Sequence, residues 1–361
     1  MPKRTEPYNN LPHLPPRIDL ESPDLLKRAI KANRLLAELK GYCQTLPDPK
    51  LLINTVVLQE SKDSSAIENI VTTQDELYRA VAAIDDGFDF GSATKEVLQY
   101  REALYSGLEL MEKRGLTTNT LIAIMQKLKH NTSGIRNTTG TRLANPVTKT
   151  IIYTPPEGET LIREKLTALE KFIYNENDDI DALIKMALIH YQFEAIHPFA
   201  DGNGRTGRIL NVLYLVQNNL LNIPVLYLSS YIIQNKNDYY RLLREVTEKQ
   251  NWNGWIQFML DAVSETASLT LEKIAAIQAL KKEMAVEIKR VLKTSYNSEL
   301  VDLMFSYPYL KIKILERNGI GHRQTASVYL QKMANEKILR QLKIGKEIYY
   351  INHKLMNVIS K

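Results

Sequence analysis

The 361-residue chain is long for one hydrophobic core, so two or three domains, or one large domain with appendages, are expected. Its 44% hydrophobic and 24% charged residues suit a soluble globular protein, and its single cysteine, Cys43, excludes a disulfide framework and a cysteine-based zinc cluster. The net charge of +6 is concentrated: residues 297–361 hold 11 Lys or Arg against 5 Asp or Glu, which marks that stretch as a separate module.

The opening MPKRTEPYNNLPHLPPRIDL has no apolar core behind its basic residues, and no apolar run is long enough to cross a bilayer. A cytoplasmic protein with no membrane partner is the expectation. Rich in Pro and Asn and without periodicity, these first residues read as an extended arm over the body. Helical spacing begins at PDLLKRAIKANRLLAELKGYC and continues through LLINTVVLQESKDSSAIENIVTT, where Ser64 and Glu68 stand four apart and so share a helix face. It resumes in DELYRAVAAI, EVLQYREALYSGLELM and TTNTLIAIMQKLKH. The run Thr150-Ile151-Ile152-Tyr153-Thr154, ending at Pro155-Pro156, breaks the pattern and reads as a short hairpin. Helices return in DALIKMALIHYQFEAI, RILNVLYLVQNNLL, DYYRLLREVT, WNGWIQFMLDAV and LEKIAAIQALKKEMAVEIKRVL. The end of the chain pairs a helix, HRQTASVYLQKMANEKILRQ, with two strand-like runs in LKIGKEIYYINHKL, an order that resembles a winged helix.

Chemistry concentrates between His197 and Arg208, in HPFADGNGRTGR. Lying between two helical patterns, it forms a tight loop opening into a helix. Gly202 and Gly204 let backbone amides converge, and the helix N-terminus adds its positive dipole, which together make a place for phosphate. Asn203 adds an amide donor, while Arg205 and Arg208 add charge in a geometry suited to phosphate oxygens. Asp201 is a lone carboxylate beside this nest, the donor set of Mg²⁺ held partly by substrate phosphates, with Mn²⁺ as the alternative metal. His197, at the start of the loop, is placed to take a proton from an attacking hydroxyl.

This segment resembles the motif HxFx(D/E)GNGRxxR of the Fic family, matching at His197, Phe199, Asp201, Gly202, Asn203, Gly204, Arg205 and Arg208. The resemblance, from about Asp75 to Asp261, implies a helical core that moves AMP from ATP to a hydroxyl side chain of a target protein and releases pyrophosphate. It implies His197 as general base, Asp201 as metal ligand, residues 202–208 (Thr206 and Gly207 included) as the phosphate cradle, and Arg208 as partner of the γ-phosphate. Gly204 sets the chain apart from a phosphorylating branch that carries Lys there. The hairpin residues Ile151, Ile152, Tyr153 and Thr154 would be the family's flap, which pairs with an extended segment of the target. Of the adjacent Tyr239 and Tyr240, one would line the adenine site, and Tyr240 is favoured; Thr247 replaces an Asn that completes this pocket in some relatives.

The resemblance also gives Ser64-Ser65-Ala66-Ile67-Glu68-Asn69 a meaning, since many Fic proteins carry an inhibitory motif (S/T)xxxE(G/N) matched here by Ser64, Glu68 and Asn69. It implies that Glu68 pairs with Arg208 and takes the γ-phosphate's place, and in some relatives this glutamate positions a water that removes AMP. The expected fold is mainly α: an N-terminal arm and helices (1–74), a Fic-type core with a small β-hairpin flap (75–261), a helical linker (262–296) and a C-terminal winged helix (297–361). A transcriptional role is the competing reading, with Arg323, Gln324, Thr325 and Ser327 facing DNA bases and Lys343 and Lys346 near its backbone. Self-modification and a homo-oligomer are compatible with either reading.

Overall fold

The computed structural model describes residues 2–44, 49–83, 90–145 and 148–360. Ile84, at the end of the expected helix DELYRAVAAI, and Pro146 and Val147, inside the expected hairpin, lie outside the described residues. The chain forms two units, one made of Met1–Cys43, Val57–Ile70 and Glu96–Ser268, the other of Gln44–Val56, Val71–Lys95 and Leu269–Lys361.

In the first unit the core is organised by α7 (Ala182–Ile196), which is buried on nearly every face. A helix apolar all round belongs inside a helical layer, and α7 packs against α6 (Glu159–Ile173) and α8 (Asn203–Gln217). Asp181 starts it by accepting from the Leu183 and Ile184 amides. Helix α5 (Thr118–Lys129), capped by Thr117, closes on α8 and α6. Trp255, in α11 (Trp252–Leu292), is fully buried; it stacks on His190 with centroids 5.8 Å apart and donates to the Ala187 carbonyl at 2.8 Å. The expected hairpin is short: β1 (Leu143–Ala144) pairs antiparallel with β2 (Ile151–Tyr153), so Thr150 and Thr154 flank the strands.

The N-terminal arm lies along the end of β2. The Tyr8 amide donates to the Thr154 carbonyl at 3.0 Å, the Thr154 hydroxyl to the Arg4 carbonyl at 2.6 Å, and the Glu157 amide to Asn9 at 2.9 Å. Further along, the Lys165 ammonium and the Gln192 amide bind the Leu11 and Pro12 carbonyls, each at 2.8 Å.

In the second unit, α3 (Gln74–Ala82) begins with a capping box in which Thr73 and Glu76 satisfy each other's amides. After the 41-residue α11 come α12 (Ser298–Ser306), β3 (Tyr309–Leu310), α13 (Ile312–Arg317), α14 (Arg323–Asn335), β4 (Arg340–Ile344), β5 (Glu347–Ile351) and α15 (His353–Ser360). The strands form one antiparallel sheet in the order β3-β5-β4. Ala326, Leu330 and Met333 bury one face of α14, as their spacing implies. Tyr78 of α3 lies parallel to Tyr309 with centroids 6.4 Å apart. Among the described residues no helix is long and apolar enough to cross a membrane.

Trp255 joins α11 to α7 through both packing and a hydrogen bond. Trp255→Ala is expected to destabilise the protein by about 3–5 kcal/mol, read from urea unfolding by far-UV circular dichroism.

Candidate functional site

The turn between α7 and α8 is made of left-handed residues at both ends. His197 closes α7 with φ 49°, and Gly202 opens α8 with φ 84°. Between them Phe199 is buried, and the Asn203 carboxamide closes a reciprocal pair with its backbone, accepting from its amide and donating to its carbonyl, each at 2.8 Å. The Asn203 side chain, expected beside phosphate, is bonded at both polar ends to the loop backbone. The buried Arg136 braces the same turn: its guanidinium donates to the His197 carbonyl at 2.7 Å and to the Pro156 carbonyl at 2.5 Å. Burial, together with the nearby Arg136 charge, pushes the His197 imidazole down to about 4. At neutral pH it is therefore uncharged and free to accept a proton.

Around Asp201 lies a network of alternating charge. Lys129 reaches Asp201 at 2.6 Å and Glu96 at 3.5 Å, and Glu96 also accepts from Arg205 at 2.9 Å. Partial burial works against the Asp201 charge, but the Lys129 contact outweighs it and holds the carboxyl below its usual value. Arg205 is buried and committed to Glu96, so of the two motif arginines it is the one with a protein partner inside this network. Among the described residues no three His, Cys, Asp or Glu gather into a metal cluster. A single carboxylate with its second oxygen on the Gly202 amide at 2.6 Å fits a cation that arrives with phosphate ligands.

Arg208 is 1% exposed, and three of its contacts come from the SSAIEN segment: Nε donates to the Ser64 hydroxyl at 2.8 Å, and Nη2 to the Ser64 carbonyl and Glu68 Oε1, each at 2.9 Å. Burial opposes its charge, yet the Glu68 carboxylate beside it keeps the guanidinium above its usual value. The route to this contact differs from a shared helix face. Helix α2 (Pro49–Ile67) stops before Glu68; the Ile70 amide donates back to the Ser65 carbonyl and the Asn69 amide to Ala66, with Asn69 left-handed at φ 63°. This is a Schellman ending with Asn69 in the position that favours Gly or Asn, and it turns the Glu68 side chain toward α8. Gly204 makes room: a Cβ there would stand 2.3 Å from Glu68 Oε1. Helix α2 is also tied to the segment around α9 (Leu228–Gln234), where the buried Glu60 accepts from the Ser229 amide at 2.9 Å and Asp63 accepts from Tyr227.

In α10 (Lys236–Lys249) the two tyrosines part. Tyr239 is 1% exposed and bonds His190 at 2.8 Å, whereas Tyr240 is 45% exposed beside it. Thr247 is held by the Tyr191 hydroxyl at 2.9 Å. In the flap Tyr153 donates to the Ala195 carbonyl at 2.8 Å. Thr206 is fully buried, and a Cβ on Gly207 would stand 2.6 Å from Glu194 Oε1. The sequence reading missed Glu96, Lys129, Arg136 and Glu194. Only Glu194, three residues before His197, stood near the motif, and a charged residue in an otherwise apolar helix was its signal.

Because Asn69 carries the turn that aims Glu68, Asn69→Val is expected to open it. Forcing a β-branched residue into the left-handed region costs about 1–2 kcal/mol, so amide exchange at residues 68–70 should quicken about fivefold or more, while Asn69→Gly leaves it near wild type; hydrogen-exchange mass spectrometry reads both.

Three family models match in series: Fic/DOC family N-terminal over residues 26–109, Fic/DOC family over 115–215, and the C-terminal domain of SoFic-like protein adenylyltransferases over 280–355. A probable protein adenylyltransferase of Aquifex aeolicus is 29% identical over 192 residues, 53% of this chain and 55% of its own length. A protein adenylyltransferase Fic of Nematostella vectensis is 31% identical over 94 residues, 26% of this chain and 20% of that relative. The chain thus spans about half or less of the curated relatives it matches. Among solved structures, a Fic family protein of Desulfovibrio desulfuricans superposes with TM-score 0.57 at 19% identity, covering 94% of this chain and 98% of that one. A Fic domain containing signaling protein of Bacteroides thetaiotaomicron gives 0.53 at 15% identity, covering 67% and 96%. With the motif loop, the helical core and two successive family matches in agreement, the chain belongs to the Fic/DOC family.

Proposed function

We propose that this protein transfers AMP from ATP to a hydroxyl side chain of a target protein, and to its own hydroxyls, and that Glu68 holds it in an inhibited state. The observation that carries this reading is the His197-to-Arg208 turn, where a neutral imidazole stands at one end and a glycine-opened helix N-terminus at the other. The target oxygen attacks the α-phosphorus, its proton passes to His197, and the bond to the departing pyrophosphate breaks. Amides at the start of α8 bind the phosphates and its dipole favours their charge. Arg208 takes the γ-phosphate, and Asp201, released by Lys129, would hold a Mg²⁺ arriving with the nucleotide, which would supply positive charge beside the phosphates. Tyr240 lines the adenine site, and β2 pairs with the target segment, Thr154 being held by the N-terminal arm. The names of the Aquifex and Nematostella relatives support the reaction class.

Inhibition follows from competition for one guanidinium. While Glu68 and Ser64 occupy Nε and Nη2 of Arg208, those donors are withheld from a γ-phosphate and ATP settles in an unproductive pose. Glu68→Gly is expected to raise self-modification from labelled ATP by an order of magnitude or more, and adding His197→Ala to abolish it. An unchanged rate in the Glu68 variant would remove the inhibitory role; transfer that survives loss of His197 would remove the base. The Glu68 side chain is 36% exposed, so it is also placed to orient water toward a phosphodiester and reverse the reaction. Release of AMP from modified target by the wild type, lost in Glu68→Gly, is the result that supports reversal.

A second reading concerns the C-terminal unit, whose order α12-β3-α13-α14-β4-β5 is that of a winged helix. Arg323, Gln324 and Thr325 at the start of α14 and Lys343 and Lys346 on the hairpin are exposed, as DNA contacts require. Binding to duplex that weakens steeply with salt is the expected result, and no binding at low salt overturns it.

A further inference from the structure

Lys129 is the member of the charged network that must move if Asp201 is to hold a cation. It is the last residue of α5, where the carbonyls of the helix end favour positive charge. Its stem lies across the motif loop: a Cβ on Gly202 would stand 3.4 Å from Lys129 Cγ and 3.5 Å from Cδ. The side chain is only 20% exposed, so its ammonium is held at the site by the packed stem.

Two carboxylates from different elements face that ammonium. Asp201 Oδ2, in the turn before α8, is 2.6 Å away, and Glu96 Oε2, on α4 (Ser92–Arg114), is 3.5 Å away. Asp201 Oδ1 accepts from the Gly202 amide at 2.6 Å. Both oxygens of the carboxylate suited to a metal are therefore engaged, one of them by a positive charge. An ammonium and a divalent cation repel strongly at one carboxylate oxygen. A single carboxylate is also a poor Mg²⁺ site until substrate phosphates supply further oxygens. The step from one carboxylate to the other is short, 3.5 Å against 2.6 Å, and rotation of the end of the side chain is enough. Glu96 already accepts from Arg205 at 2.9 Å, and after the step it would bridge two cations.

We propose that Lys129 is a tethered counter-cation that keeps the metal's place on Asp201 and transfers to Glu96 when a divalent cation enters with the nucleotide phosphates. This rests on the nucleotide reading given above. Lys129 is thus a positioning residue that acts through Asp201, and Glu96 is its second seat. Free metal meets an Asp201 that is occupied, and metal-free triphosphate meets one that is neutralised. The two variants of the pair then act in opposite directions. Lys129→Met keeps the stem and removes the charge, so bare Asp201 repels metal-free phosphates while nothing has to leave when metal binds. Glu96→Gln removes the second seat, so displacing Lys129 becomes harder while metal-free binding is little altered.

The test uses the full chain with Glu68→Gly and an α,β-methylene analogue of ATP, which binds without transfer. Calorimetry gives its Kd in EDTA and in Mg²⁺, and the ratio of the first to the second is the readout. By linkage that ratio is also the factor by which the nucleotide raises metal affinity. Lys129→Met is expected to raise it about tenfold and Glu96→Gln to lower it about threefold. Damage to the fold would weaken both arms and leave the ratio in place. In an Asp201→Asn background, adding Lys129→Met should change the ratio little. A ratio unmoved by Lys129→Met, or moved the same way by both variants, overturns the proposal and leaves the nucleotide site intact. A full rise from Lys129→Met in the Asp201→Asn background also overturns it, because Lys129 would then act without Asp201. No binding of the analogue in either condition removes the nucleotide reading and this proposal with it.

Discussion

The site depends on the burial of one positive charge. Arg208 lies on the first turns of α8, 1% exposed, in the layer that α8 forms with the buried helix α7. A guanidinium in such a place cannot be left without an anion, so the protein must supply one or wait with one bound. Glu68 meets that demand from a separate stretch of chain, with Ser64 satisfying two further donor positions. Under the proposed reading a triphosphate would take its hold from the same demand, replacing a carboxylate and not bulk water. Inhibition and substrate binding would then be two solutions to one electrostatic problem.

The loop that presents this charge is held by contacts within the protein. Asn203 and Phe199 tie its ends, and Arg136 fastens the His197 and Pro156 carbonyls together, joining the turn to the chain just beyond the flap. Since these contacts are internal, the amides at the start of α8 keep their direction with no ligand present. Preorganisation of this kind lowers the reorganisation needed when the reaction begins. The N-terminal arm adds a second brace on the flap end through Tyr8, Thr154 and Asn9.

Much of this was readable in the residues. Glycines at fixed spacing before an apolar helical run announce a helix N-terminus, and the period of the apolar residues located α7, α8 and α14. The split between Tyr239 and Tyr240 follows from their adjacency on one helix. What escaped was set by distance in sequence: Glu96 and Lys129 meet Asp201 and Arg205 from other helices, and nothing local distinguishes them from solvated charges. A carboxamide suits phosphate and backbone equally, and only the fold shows the Asn203 side chain bonded to the Phe199 backbone. The SSAIEN contact was anticipated through a helix face, whereas the geometry comes from the turn that ends the helix; a left-handed Asn is legible as a stop signal only when the end of the helix is already known.

The carboxylate that meets Arg208 stands on the cap of a helix, and not within it, so its release need undo only the last turn. That turn is not a frayed end: Ser64, Ser65 and Ile67 beneath it are buried, so opening it gives up packing as well as the Arg208 contacts. Glu60 and Asp63 anchor the body of α2 to the chain around α9 while the cap stays independent of them. Under the proposed inhibition, basal output would be set by the fraction of time that this single turn is undone.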